Sequence, residues 1–414
     1  MTAYESPRRT ADVIVVGAGP AGAVTALLLA RAGVDVLLLD RATFPRAKPC
    51  GDCLSFGAGA VLHRLGLLDR LLAAPHARLR GWRIVAPDGA AFQARFDNGV
   101  APIDCALAIE RAVLDEILLR AALARGVSLR RAVVTDVVRD RAGAVTGVRT
   151  RDGVLGARIT IGADGLRSVV AARLRARAGH GSLRKLSLTL HTHVRGIGRL
   201  GEMHVGDGIC AGVAPVAPDG RCNVTVVADA RRFGRDVARD PRAFAAAALA
   251  SMPDLHGRIG ARALEGCEIL ASGPFDRPVR RIAFDGAVLI GDAAGYYDPF
   301  TGQGVFQAIA AAELLAPHVW NALATGDVRA RALRGYVHAH AALIAGPRLV
   351  QRGIELVLSR PALANRAIRR IGRAPAFARA LLDVTGDAAA AHALLAPQAL
   401  ASLLIPSPAT EDAA

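Results

Sequence analysis

Three glycines and an aspartate near the start of the chain have the types and spacing of a dinucleotide-binding site. Gly17, Gly19 and Gly22 lie in the string GAGPAG, between a short apolar run at 12–16 and an apolar helical pattern. The first glycine permits the tight turn, the second lets a pyrophosphate approach the backbone, and the third lets the helix pack closely. Asp40 ends the next apolar run, where a carboxylate accepts hydrogen bonds from a ribose diol. The pattern predicts bound FAD or NAD, because the charge of Asp40 disfavours the 2′-phosphate of NADP.

Two later motifs select FAD. The first is GADGLRS at 162–168, and the second is GDAAG at 291–295, which continues as DPFTGQGV at 298–305. In this order the three motifs resemble the flavoprotein monooxygenase superfamily with the hydroxybenzoate-hydroxylase-type fold. The resemblance implies non-covalent FAD, with Asp292 holding the ribityl chain and Arg111 near the phosphates. It also implies that backbone amides at 302–305 face the flavin pyrimidine ring, where a helix N-terminus stabilises the negative charge of reduced flavin.

The candidate cofactor-binding residues come from these motifs and from the segments that follow Asp40. They are Gly17, Gly19, Pro20, Ala21, Gly22, Asp40, Arg41, Cys50, Gly51, Arg111, Asp164, Gly165, Gly291, Asp292, Pro299, Gly302, Gln303, Gly304 and Val305. No metal site is predicted, since His191 and His193 share a strand face without further ligands nearby in the sequence.

A finer resemblance covers the string FPRAKPCGD at 44–52 and the helical pattern after it. This part is similar to the geranylgeranyl-reductase branch of the superfamily, which includes menaquinone-tail reductases and is related to flavin-dependent halogenases. Archaeal members of that branch carry an aromatic-rich strand motif, whereas the corresponding segments here, 212–215 and 223–225, contain no aromatic residue. Gln303 is also more typical of the hydroxylases.

These differences favour an NAD(P)H-driven monooxygenase that hydroxylates a hydrophobic aromatic or polyketide-like molecule with O₂, through a flavin C4a-hydroperoxide. The first alternative is reduction of isoprenoid C=C bonds, as in the geranylgeranyl reductases. The second is a flavin-binding electron-transfer protein. NAD(P)H is expected to bind only transiently, because the other match to the glycine pattern, GIGRLG at 196–201, precedes no apolar helix and is predicted to be a loop.

No catalytic side chain is predicted with certainty, because the flavin itself carries out the chemistry in this superfamily. The candidates for the substrate pocket are Cys50, Tyr296, Tyr297 and Pro299. Cys50 and Cys53 have the spacing of a redox dithiol, yet packing beside the flavin is the favoured interpretation of Cys50. The six cysteines do not form a disulfide framework and indicate reduced thiols.

The order of predicted strands and helices around these residues indicates a doubly wound α/β FAD-binding domain of the glutathione-reductase/hydroxybenzoate-hydroxylase type. Its segments are 10–79, 104–186 and 273–328. Alternating apolar and polar residues at 80–103 and 187–272 predict an inserted antiparallel-sheet domain over the flavin. Residues 329–414 are predicted to form a helical tail, broken at Gly346-Pro347, Pro361 and Pro397.

Composition and charge limit the classes of molecule that this protein is expected to bind. The 414 residues carry a net charge of +16, but the arginines are scattered and only 4% of residues are aromatic, which argues against nucleic-acid binding. No apolar run is long enough for a bilayer span and no secretory signal is recognisable, so a cytoplasmic protein is expected. Contact of the apolar, arginine-bearing tail with a membrane stays open, as does the oligomeric state.

Overall fold

The computed structural model describes residues 9–96, 104–179, 181 and 184–405. The strands β1–β18 are, in chain order, Arg9–Val16, Val36–Asp40, Cys53–Leu54, Ala77–Leu79, Gly81–Val85, Ala91–Arg95, Ala106–Ala108, Ser128–Arg131, Val134–Arg139, Val145–Thr150, Gly153–Gly162, Lys185–His193, Gly201–Val205, Ile209–Pro215, Arg221–Asp229, Leu270–Ser272, Ala283–Phe284 and Ala287–Leu289. The helices α1–α13 are Pro20–Arg31, Phe56–Arg64, Leu68–Leu72, Arg111–Leu123, Val169–Arg173, Ala230–Arg239, Pro241–Ala250, Ala261–Glu265, Gly304–Thr325, Arg334–Leu358, Pro361–Gly372, Pro375–Thr385 and Pro397–Leu404.

A parallel sheet forms the centre of the first half of the fold. Strands β18, β11, β1, β2 and β8 run parallel in that order, and β17, β10 and β9 extend the sheet with antiparallel pairings. The central strand β1 is apolar and β-branched, and its residues 13–15 are fully buried because helices cover both faces. This arrangement brings the carboxyl ends of β1 and β2 to one edge, where ligands bind in doubly wound sheets.

A second sheet of seven strands lies in the order β16-β12-β15-β14-β13-β5-β6. All of its pairings are antiparallel except that of β13 with β5. The GIGRLG string lies in the turn between β12 and β13 and opens no helix. The predicted fold class, an α/β cofactor domain with an inserted sheet and a helical tail, is confirmed, while the domain boundaries stay a prediction.

The C-terminal helices are part of the main core. Ala364, Ile368, Ala378 and Leu382 are buried in the same hydrophobic cluster as β1 and α1. The predicted break at Gly346-Pro347 is wrong, because α10 runs through Pro347 to Leu358. Its packing against α9 and against the 3₁₀ turn Ala391–Leu395 outweighs the local helix-breaking effect of proline.

No helix among the described residues combines the length and the apolar character that a membrane-crossing segment requires.

Candidate active site

The glycine turn between β1 and α1 has the shape of a pyrophosphate cradle. Gly17 has φ +102°, and a Cβ atom built there would lie 2.4 Å from the carbonyl oxygen of Ala163. At Gly22 a Cβ atom would lie 1.8 Å from the Gly17 carbonyl oxygen, so this glycine brings the helix against the strand. At Gly19 the nearest atom to a Cβ atom would be Nη2 of Arg46, at an ordinary contact distance of 3.5 Å, and no described side chain caps α1. The unpaired amides at this helix start fit a bound pyrophosphate.

Asp40 lies beside this turn at the end of β2. The backbone N–H groups of Ala18 and Ala42 each donate a hydrogen bond of 2.8 Å to its carboxylate. Asp40 also lines the cavity described below, so its remaining lone pairs face the space next to the pyrophosphate cradle. This placement fits the predicted contact with a ribose diol.

Three cationic side chains surround the same space. Arg111 forms a bidentate ion pair with buried Asp115, at 2.8 and 2.9 Å, and Arg46 lies 3.5 Å from the same carboxylate. Among the residues that the structure describes, Lys48 has no carboxylate partner at hydrogen-bond distance. Burial lowers its pKa, and Asp292 only partly opposes that shift. The sequence analysis predicted Arg111 but missed Arg46 and Lys48. The signal was present, because both belong to the 44–52 string that precedes Cys50.

The two later motifs meet this cradle. Asp164 accepts hydrogen bonds from the Ser168 hydroxyl and the Val169 amide, and thereby caps the short helix α5. Asp292 lies in a 3₁₀ turn, where burial raises the pKa of its carboxyl group. Asp164, Gly165, Gly291 and Asp292 all line the cavity. The three sequence motifs therefore converge on one space, as their resemblance to the flavoproteins predicts.

The segment around Cys50 is held by the antiparallel sheet. Asp52 is buried with φ +57°, and its carboxylate lies 2.6 Å from Nε2 of His191 and 2.8 Å from Nδ2 of Asn223. Asn223 also donates to the carbonyl oxygen of Cys50 at 2.8 Å. The hydrogen bond to Asp52 raises the pKa of His191. Sequence reasoning missed Asp52 and Asn223, because the residues that contact each other are more than 130 positions apart.

The Cys50–Cys53 pair lacks the properties of a reactive dithiol. Both thiols are free, and burial raises the pKa of each above its ordinary value. A raised pKa keeps a thiol protonated and weakly nucleophilic. Both cysteines, and Gly51 between them, line the cavity, which fits the predicted packing role.

The predicted pocket residues separate into two groups. Tyr296 and Pro299 line the cavity, and burial raises the pKa of Tyr296 well above its ordinary value. Tyr297 does not line it; its ring instead lies about 6 Å from the guanidinium groups of Arg348 and Arg352. Gln303 also turns away, and its side-chain nitrogen lies 2.6 Å from a carboxylate oxygen of Asp387. Of the predicted 302–305 segment, Gly302, Gly304 and Val305 face the cavity.

A single cavity of about 1110 Å³ joins these features. It begins at the glycine turn, passes Asp292 and Cys50, and continues between the antiparallel sheet and the C-terminal helices. The far part is apolar, and its lining includes Val350, Ile354, Val357, Ile368, Leu381 and Leu403. The cavity exceeds the usual range of a small-ligand pocket, about 300–1,000 Å³, because it joins a dinucleotide cradle to a second, apolar compartment.

The donor set of the cradle, with its open Gly19, free helix amides and cationic rim, fits FAD. Together the fold and this site define an FAD-dependent oxidoreductase. The chain belongs to the family described as FAD binding domain, whose model matches residues 10–345. FAD is its cofactor, and NAD(P)H is the reductant typical of the family.

Individual relatives include both reductases and other flavoenzymes. The chain is 32% identical over 397 residues to menaquinone reductase of Mycobacterium tuberculosis, covering 87% of this chain and 90% of that protein. It is 27% identical to digeranylgeranylglycerophospholipid reductase of Methanosarcina mazei, covering 77% of each. Among solved structures, the myxobacterial chondrochloren halogenase CndH gives a TM-score of 0.74 at 22% identity, covering 88% of this chain and 89% of that one. This last likeness shows the fold alone.

Proposed function

We propose that this protein saturates C=C bonds in a long isoprenoid chain, of the kind carried by a prenylated quinone. The observation that supports this most strongly is the continuation of the cavity beyond the cofactor cradle into the apolar space between the sheet and helices α10–α13. A compact aromatic substrate needs no such extension. The proposal reverses the order favoured by the sequence, in which hydroxylation came first and isoprenoid reduction second.

The walls of the far compartment suit a flexible hydrocarbon chain. The antiparallel sheet contributes Met203, Gly212, Val213 and Val227, whose side chains are small or adaptable, and the tail contributes aliphatic residues. An isoprenoid gains free energy by leaving water for such a surface, at roughly 25 cal/mol for each Å² of apolar area buried. The lack of aromatic residues at 212–225 leaves the room that a branched chain requires.

The names of the relatives agree with this class of substrate. Menaquinone is a quinone with an isoprenoid tail, and the archaeal relative is named for a lipid that carries geranylgeranyl chains. Both groups of proteins align with most of this chain. This similarity supports the proposal, and the geometry of the cavity supplies an independent argument.

The chain's own residues bind, orient and exclude water. In this proposal Asp40, Arg46 and Lys48 would hold the ribose and pyrophosphate of FAD, and Asp292 would hold its ribityl chain. Asp52 and Asn223 hold the Cys50–Gly51 backbone at the cavity wall. Bound FAD supplies two reducing equivalents, which NAD(P)H restores. In the net reaction one C=C π bond breaks, two C–H bonds form, and one NAD(P)H and one proton are consumed as NAD(P)⁺ is released.

The test is anaerobic turnover of NAD(P)H with a menaquinone that bears a geranylgeranyl chain. We expect a product that has gained two hydrogen atoms in its side chain. Oxygen-dependent NAD(P)H consumption with a product that has gained one oxygen atom would instead establish hydroxylation. NAD(P)H oxidation without any change to the organic substrate would favour electron transfer.

A matched pair of variants connects turnover to the cavity. Ala367 of α11 lines the far compartment, whereas Ala362 of the same helix is exposed to solvent. Ala367→Trp should block the long substrate and raise its KM at least tenfold while reduction of the flavin by NAD(P)H stays unchanged. Ala362→Trp should behave like the wild type. Equal behaviour of the two variants would show that the chain does not enter this compartment.

We further propose that the tail contacts a membrane surface. Seven of the eleven exposed large hydrophobic residues among those described lie in the tail, at Leu349, Leu356, Leu363, Leu395, Leu400, Leu404 and Ile405. The region 341–405 carries eight arginines against three acidic residues, which complements anionic lipid. Co-sedimentation with phosphatidylglycerol vesicles should exceed that with phosphatidylcholine vesicles, and Leu356→Asp with Leu395→Asp should abolish it. Equal binding to both kinds of vesicle would show that attraction to anionic lipid does not contribute to the membrane contact.

A further inference from the structure

One half-buried acid at the junction of the tail and the cofactor domain has no role in the site described so far. Asp387 follows α12 with φ +59°, and both of its carboxylate oxygens have hydrogen-bond partners. One carboxylate oxygen lies 2.6 Å from the Ser55 hydroxyl, and the other lies 2.6 Å from Nε2 of Gln303. A Cβ atom at Gly57 would lie 2.5 Å from the Cβ atom of Asp387, so the two segments are in close contact.

Saturation of a C=C bond requires a proton inside an apolar cavity. Among the described residues, the carboxyl groups that line this cavity are those of Asp40, Asp164 and Asp292, and all three lie in the dinucleotide cradle. Cys50 is a poor acid, because burial raises the pKa of its thiol. The Ser55 hydroxyl, in contrast, lines the cavity and is bonded to an acid behind the wall.

We propose that Asp387 is the proton source for the reduction and that the Ser55 hydroxyl delivers the proton to the substrate. This inference rests on the proposed function. Bound reduced FAD would supply one hydrogen with its electron pair for the first new C–H bond. The second C–H bond forms when the Ser55 proton moves to the neighbouring carbon, and the former π electron pair becomes that bond. The hydroxyl then takes a proton from the Asp387 carboxyl group, which regains one from solvent.

The surroundings of Asp387 keep this proton available near neutral pH. Burial raises the pKa of Asp387 to about 7, although its hydrogen bonds with Ser55 and Gln303 act in the opposite direction. The groups that face the carboxyl from α2 and from the start of α9 are these two uncharged side chains. On its own element the nearest charges are Arg379 and Asp383, which form an ion pair with each other at 3.3 Å.

The hydrogen-bond network extends away from Asp387 without meeting a second acid. Gln303 accepts a hydrogen bond from the Thr301 hydroxyl at 2.9 Å, and Gln351 of α10 donates to that hydroxyl at 2.8 Å. The amide groups of Gln303 and Gln351 have no titratable proton at these pH values. Within the described residues of this network, Asp387 is therefore the titratable member that can supply Ser55.

The test compares Asp387→Asn with Asp383→Asn, a matched change one helical turn earlier at the acid that forms an ion pair with Arg379. Stopped-flow measurement separates flavin reduction by NAD(P)H from flavin reoxidation by geranylgeranyl-bearing menaquinone under anaerobic conditions. Asp387→Asn should leave flavin reduction unchanged and slow reoxidation by about 10²- to 10⁴-fold, the usual contribution of a general acid. The wild-type rate should fall as pH rises through about 7, and this inflection should be absent in Asp387→Asn. Asp383→Asn should retain both the rate and the inflection.

A second pair of variants tests the relay even if Asp387→Asn does not fold. Ser55→Ala should slow reoxidation strongly, whereas Ser55→Thr, which keeps a hydroxyl group, should restore it. Infrared spectra of the wild type should contain a carboxylic C=O band that disappears as pH rises through about 7 and is missing in Asp387→Asn. Wild-type rates and an unchanged inflection in Asp387→Asn or Ser55→Ala would overturn the inference. A wild-type protein that cannot be reoxidised by the prenyl substrate would instead overturn the proposed function.

Discussion

Substitution of Gly19 by alanine should separate cofactor binding from folding. Gly19 has φ −72° and ψ −175°, which alanine adopts freely, and the atom nearest to a Cβ built there is Nη2 of Arg46 at 3.5 Å. Alanine restricts the unfolded chain, a gain of about 0.4–1 kcal/mol, and is a poorer helix N-cap than glycine, a loss of about 0.5–1 kcal/mol. The free energy of unfolding of the apoprotein should therefore change by less than about 0.5 kcal/mol.

FAD binding should respond very differently. The new methyl group of Gly19→Ala would occupy the space through which the pyrophosphate reaches the amides at the start of α1. Loss of two charge-assisted hydrogen bonds, each contributing about 1.5–3 kcal/mol, removes about 3–6 kcal/mol of binding free energy. This corresponds to a Kd raised roughly 100- to 20,000-fold.

Gly22→Ala is the contrasting change at the same turn. Its Cβ atom would lie 1.8 Å from the Gly17 carbonyl oxygen and 3.2 Å from the Cβ atom of Ala163, so α1 would have to move away from β1. Overpacking of this kind costs about 1–3 kcal/mol even where side chains can adapt, and here the nearest neighbour is backbone. The apoprotein itself should be destabilised.

Two measurements on both variants decide the matter: the urea midpoint of each apoprotein by circular dichroism, and FAD affinity by titration of flavin fluorescence. Wild-type FAD affinity in Gly19→Ala would refute the placement of the pyrophosphate at this turn. A Gly19→Ala apoprotein as unstable as Gly22→Ala would refute the conclusion that the space beside Gly19 is open.

Three further predictions concern charge. Lys48→Met should weaken FAD binding by about tenfold or more and reduce its salt dependence in the same titration, because no described carboxylate lies at hydrogen-bond distance from Lys48 to neutralise its charge. His191→Gln should lower the urea midpoint, and the full difference from wild type should be present below pH 6.5. The difference should shrink as pH rises through the folded pKa of His191, which is raised by the hydrogen bond to Asp52. As pH rises from about 4 to 7, the free energy of unfolding of the wild type should fall by on the order of 1–3 kcal/mol, because the Asp387 carboxyl group has a raised folded pKa and is destabilising once ionised. Urea titrations of Asp387→Asn should not show this fall.

Local patterns were sufficient for the cofactor half of the molecule. The turn from Gly17 to Gly22, the acid at the end of β2 and the two later aspartates are encoded by spacing along short segments. They are recognised by the strand before each motif and the helix after it, a context that the other glycine match, GIGRLG at 196–201, lacks. The fold class and FAD could therefore be predicted before any coordinates were known.

Long-range contacts lay beyond those patterns. Asp52, His191 and Asn223 form one cluster from three distant segments, and although Asp52 and Asn223 lie in segments that resemble family motifs, no local pattern pairs them with each other or with His191. The break predicted at Gly346-Pro347 failed for a related reason, since tertiary packing decides whether a proline ends a helix. Gln303 was assigned to the flavin from its neighbours in the sequence, yet its side chain bonds to Asp387 on the far side of the helix start.

The tail is the element whose function local patterns describe least well. Its helices alternate small apolar residues with arginine, a composition that fits a solvent-facing cap, a membrane contact or a cavity wall equally. Coordinates distinguish these roles because one side of α10, with Val350, Ile354 and Val357, lines the cavity, while Leu349 and Leu356 are exposed. The three cofactor motifs can serve hydroxylation, halogenation or reduction alike, so reaction type depends on what shares the cavity with FAD. In the proposed reaction that is the tail, which supplies the apolar wall along the cavity and, through Asp387, an acid bonded to the Ser55 hydroxyl at its lining.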